Sequence, residues 1–167
     1  MNVRRPSVDG RFAFMDLGDR LPSFEGVEWL DGFAPALRDG IPTLVHFWST
    51  GCPLCHEAAV DVIAWRAKHS PDVLDVIAVY AMRPDATTID AVAARRDARS
   101  LMRIAWPCAI DRGRELERAF SCQYSPGYFI FDGDGVLRHR QVGNDRLDRI
   151  GELLGRLVVK ASSASEA

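Results

Sequence analysis

The stretch L-V-H-F-W-S-T-G-C-P-L-C-H-E-A-A-V-D-V, from Leu44 to Val62, decides the fold. It opens on a largely apolar run, Leu44 to Trp48, short enough to be a buried strand. Ser49, Thr50 and Gly51 follow, all small or turn-forming. Cys52 and Cys55 then bracket Pro53 and Leu54. Beyond Cys55 the pattern turns helical, with Ala59, Val62, Ile63 and Arg66 marking successive turns. The cysteine pair therefore falls at a strand-to-helix junction, with Cys52 at or near the helix N-terminus.

That placement has a chemical consequence. The first N–H groups of a helix lack intrahelical partners, and the helix dipole is positive there. A thiolate at that end is stabilised, so its pKa falls below the free value of about 8.5. The thiolate is the species that attacks disulfides. A second cysteine one helical turn away is near enough to resolve the mixed disulfide. Pro53 has no N–H to leave unpaired, and its fixed φ suits the first helical turn.

F-W-S-T-G-C-P-L-C, Phe47 to Cys55, resembles the active site of the thioredoxin superfamily, and the wider chain is most similar to its TlpA/ResA-like thiol–disulfide oxidoreductases. L-G-D-R-L-P-S-F (Leu17 to Phe24), W-P-C-A-I-D (Trp106 to Asp111) and Y-S-P-G-Y-F-I-F-D-G-D-G (Tyr124 to Gly135) match further segments of that family in the right order. The likeness runs from about Leu17 to Val158. It implies an α/β thioredoxin fold: a central mixed sheet flanked by helices, with the TlpA-like αβ insertion and an N-terminal extension. It also implies a thiol–disulfide oxidoreductase that needs no metal or organic cofactor. Its partners would be disulfide-containing or dithiol proteins and an upstream redox partner.

Composition sets outer limits. A chain of 167 residues suits one domain with a sizeable core. The net charge of −2 gives no electrostatic case for nucleic acid or acidic lipid. No run approaches the ~18 apolar residues of a membrane helix. Arg4 and Arg5 are not followed by an apolar segment, so no secretory signal and a cytoplasmic location are expected. In that compartment a C-x-x-C pair is catalytic rather than structural. A monomer is expected, with residues 1–11 and 161–167 flexible.

Along the chain, strands are expected at Phe12–Leu17, Gly26–Leu30, Ile41–Trp48, Val73–Tyr80 and Ile104–Ile110, with a hairpin of Gly127–Phe131 and Val136–Val142 about the D-G-D-G turn. Helices are expected over Phe33–Arg38, Cys52 to about Lys68, and from a Thr87/Asp90 capping box to about Ser100, with Ile89, Val92 and Ala93 inward. Two more cover Arg112–Phe120 and a final segment capped by Asn144, with Leu147, Ile150, Leu154, Leu157 and Val158 as its apolar stripe. Strands alternating with helices imply a parallel core, and the hairpin adds an antiparallel edge.

Cys52 is the expected nucleophile and Cys55 the resolving thiol. By resemblance, Ser125–Pro126 is the cis-proline loop facing the dithiol, leaving the Ser125 backbone to pair with an extended substrate. Trp48 and Pro53 join Ser125 and Pro126 as expected substrate contacts. His46 and Glu57 are candidates for proton transfer, each weighed against a plainer role: a hydrogen-bonded core histidine and a solvated helix residue. Cys55-His56 completes a literal C-x-x-C-H haem motif, but it directly follows a buried strand and so lacks an open pocket. Zinc would need two more ligands, for which Cys108 and Cys122 are available. These two read most simply as small buried hydrophobes, with a second redox pair as the sharper alternative. A peroxidase of peroxiredoxin type would place Pro where this chain has Val45. A non-enzymatic thioredoxin-like binding module is opposed by the intact C-x-x-C.

Overall fold

The computed structural model describes residues 14–165. Its elements are β1 (Glu28–Trp29), β2 (Thr43–Trp48), α1 (Pro53–Lys68), β3 (Asp75–Ala81), α2 (Ala91–Ser100), β4 (Cys108–Asp111), α3 (Glu115–Phe120), β5 (Gly127–Phe131), β6 (Leu137–Val142) and α4 (Leu147–Ser165). The six strands form one mixed sheet in the order β1-β4-β3-β2-β5-β6. Strands β2, β3 and β4 run parallel, while β5 pairs antiparallel with β2 and with β6. Every residue of β2 is buried. A strand covered on both faces needs no polar alternation, which is why its sequence reads as one run.

The period of two along each strand divides the core into two layers. Val45, Phe47, Ile77, Val79, Phe129 and Phe131 meet Leu116 and Phe120 of α3 and the N-terminal residues Leu21 and Phe24. On the opposite face Trp48, Tyr80 and Cys108 pack under α1 and α2 through Ala59, Ala94 and Ala98. Leu44, Tyr128 and Ile130 pack under α1 and α4 through Val62, Trp65, Ile150 and Leu154. This second face carries the dithiol.

Several expectations need correcting. Phe33–Arg38 is not a helix. Pro35 cannot supply an N–H, it biases Ala34 away from helical backbone, and Phe33 stays exposed. The second helix starts after Asp90, not Thr87: Asp90 Oδ1 accepts from the N–H groups of Val92 and Ala93. Ile89 packs from the loop ahead of that helix, Val92 is exposed, and Ala94 and Ala98 face inward. The strand expected at Ile104 begins at Cys108, and the helix expected at Arg112 begins at Glu115. Residues 14–17 form no strand, and residues 12–13 lie outside the described chain. Asn144 does not cap the last helix; its amide donates to Leu54 O at 2.8 Å and its Oδ1 accepts from Tyr128 at 3.3 Å. That helix continues through Ser165, so a tail expected to lack structure is helical as far as it is described.

Candidate active site

β2 delivers the chain to the sheet's C-terminal edge, and the Ser49–Gly51 turn hands it to α1. Gly51 adopts φ +72°, a conformation that suits a residue without Cβ. Cys52 is the N-cap of α1, with Pro53 behind it in the first turn. The Cys52 Sγ accepts the Cys55 backbone N–H at 3.2 Å. Cys52 and Cys55 are joined as a disulfide, with Cα atoms 5.3 Å apart. The two sulfurs differ in access: Cys55 is 1 % exposed, whereas Cys52 is half-buried and borders an open cleft of about 410 Å³.

Across that cleft lies the loop before β5. Its Ser125–Pro126 bond is cis. Cys52 Sγ stands 3.6 Å from Ser125 O, and the Ser125 and Ser49 hydroxyls are 3.0 Å apart. Ser125 is half-buried, Pro126 buried and Pro53 exposed. Trp48 is fully buried and stacks edge-on against Tyr80 at 4.8 Å. It braces the dithiol from below, in one apolar cluster with Cys55, instead of meeting substrate at the surface.

His46 is buried two residues before Trp48 on the same face. Its Nε2 accepts the Trp106 indole N–H at 2.9 Å, so that lone pair is occupied. Burial drives its pKa down to about 3, leaving the ring neutral. Glu57 is exposed in the second turn of α1. Cys108 shares the dithiol's face of the sheet, whereas Cys122 packs on the other face. The sheet therefore separates them, and they form neither a second pair nor one zinc site with the dithiol. Burial pushes both thiols up to about 12, so they stay protonated.

Sequence reasoning overlooked a polar layer behind the active-site turn. Tyr80 donates its hydroxyl to Thr50 Oγ1 at 3.0 Å. Asp97, buried on α2, accepts from Arg96 Nε at 2.9 Å. Burial raises the Asp97 pKa, but hydrogen bonds from Arg96 and Thr50, with the nearby His56, outweigh it and hold the carboxyl below its usual range. The only sequence signal was an acid at an inward helical position beside Ala94 and Ala98.

The Redoxin family model matches residues 17–154. The chain is 34 % identical over 155 residues to the thiol-disulfide oxidoreductase YkuV of Bacillus subtilis (strain 168), covering 87 % of this chain and 99 % of that protein. It is 23 % identical over 145 residues to the thiol-disulfide oxidoreductase ResA of Bacillus thuringiensis subsp. konkukian (strain 97-27), covering 86 % and 79 % respectively. Among solved structures it matches the solution structure of a thioredoxin-like protein in the oxidized form, with TM-score 0.73 and 32 % identity over 87 % of this chain and 99 % of that one.

Proposed function

The chain belongs to the Redoxin family, and from that premise we propose how its dithiol turns over. It is a thiol–disulfide oxidoreductase of thioredoxin fold with ResA/TlpA-like relatives. In the reduced protein, Cys52 thiolate attacks one sulfur of a substrate disulfide. A Cys52–substrate S–S bond forms, the substrate S–S bond breaks, and the second substrate sulfur leaves as a thiolate. Cys55 then loses its proton and attacks Cys52 Sγ, expelling the first substrate sulfur. Two electrons have passed to the substrate, and Cys52–Cys55 is oxidised. An upstream dithiol restores it by the same steps in reverse. The substrates are disulfide-containing proteins, which present an extended segment against the Ser125 backbone.

One observation carries this assignment of roles. Cys52 holds the helix N-cap, takes a backbone N–H on its sulfur and borders the cleft, while Cys55 is enclosed. A backbone N–H and the positive helix end both favour the charged sulfur. Turnover in a disulfide-reduction assay is the test, with Cys52→Ser as the control. Loss of turnover in that variant supports the reading, and unchanged turnover excludes it.

A further inference from the structure

Beside the dithiol stands a guanidinium that is aimed but only half engaged. A Cβ on Gly51 would lie 3.5 Å from Arg83 Nη1, so the Arg83 head sits over the backbone leading into Cys52. Arg83 comes from the loop after β3 and is clamped by Asp85: Nε donates to Oδ1 at 3.1 Å and Nη2 to Oδ2 at 2.9 Å. The clamp uses one edge of the fork. Nη1 lies on the opposite edge, beside Gly51, and has no partner among the described residues. Arg83 and Asp85 are the charged residues of the cleft that Cys52 borders. Its other walls include Leu54 and Tyr124, two large apolar side chains left exposed.

We propose that this cleft selects disulfide substrates bearing a carboxylate side chain beside the cysteine that Cys52 attacks. The carboxylate accepts from Arg83 Nη1, and the neighbouring substrate residues rest on Leu54 and Tyr124. A guanidinium is planar and always charged, so with one edge held its remaining donors point in a fixed direction. Asp85 neutralises the pair at long range, so recognition acts at contact and discriminates modestly. An uncharged amide can accept the same hydrogen bond but lacks the charge that strengthens it. The proposal rests on the reaction described above and narrows its substrate class.

The test uses the pre-reduced full chain in single-turnover reactions with two cyclic peptide disulfides. They are identical except that Glu or Gln flanks both cysteines. The Glu peptide is expected to react about threefold to fivefold faster at low peptide concentration, the range of a solvent-exposed ion pair. That ratio should fall toward one in Arg83→Gln and shrink with added salt. A ratio of one or less in the wild-type chain, or a ratio kept intact in Arg83→Gln, overturns the proposal. Reaction of both peptides with Cys52→Ser at wild-type rates would instead overturn the reaction itself, and the proposal with it.

Discussion

The Ser49 and Ser125 hydroxyls meet at 3.0 Å, joining the turn that launches Cys52 to the loop that faces it. Ser49 is buried, so removing the Ser125 hydroxyl strands that of Ser49 away from water, whereas Ser125 is half-buried on the cleft and keeps access to solvent. Ser125→Ala should cost about 1–3 kcal/mol of folding stability, and Ser49→Ala less, about 0.5–1.5 kcal/mol. The double variant should lose less than the sum, by about 0.5–1.5 kcal/mol. Denaturant titration of the four forms reads this coupling, and strict additivity would show that the contact holds nothing together.

Gly127 and Cys122 share a space with no slack. A Cβ on Gly127 would fall 2.4 Å from Cys122 Sγ, next to Phe47 and Phe129. Gly127→Ala should therefore cost about 1–3 kcal/mol by overpacking. Adding Cys122→Ala removes the obstructing sulfur and should return part of that loss. Thermal unfolding of the single and double variants is the measurement. A double variant less stable than both singles would place the strain elsewhere.

These contacts show where the sequence stops being legible. Buried strands, the helix start at Cys52 and the hairpin could be read because each is a local pattern: an apolar run, a cap, a pair of turn residues. Gly127–Phe131 emerges as expected. Arg83 and Asp97 could not be read, because their roles depend on what the fold brings near Gly51 and Thr50. Asn144 has the composition of a cap, yet it reaches α1 across 90 positions to bond Leu54 O. Phe33–Arg38 misled for a different reason. Its apolar spacing is helical, but it has no surface to bury against, and packing of an amphipathic face supplies most helical stability.

The neutral His46 sets a pH dependence whose sign follows from its lowered pKa. In the unfolded chain it takes a proton below about pH 6.5. In the fold it resists until about 3, held by burial. Acid therefore favours the unfolded state, so this contribution is complete above pH 6.5 and drains away as pH falls toward 3. The slope is at most about 1.4 kcal/mol per pH unit, or about 2 kcal/mol between pH 6.5 and 5. His46→Asn removes the titration while keeping an acceptor for the Trp106 indole. Its unfolding free energy should fall less over this window, with a shallower slope left by His69, also lowered through burial. Asp97 and Asp132 act in a separate window: their depressed pKa values support the fold above about pH 4 and lose that effect below it. Equal slopes in wild type and His46→Asn would contradict the assignment.

One sulfur opens the reaction and its neighbour closes it, and trapping the covalent intermediate tests this directly. Cys55→Ser, reduced and mixed with a disulfide-containing protein, should accumulate a mixed disulfide that mass mapping places on Cys52. Cys52→Ser under the same conditions should accumulate none. An adduct on Cys55, Cys108 or Cys122 in place of Cys52, or equal trapping by both variants, would contradict the central claim.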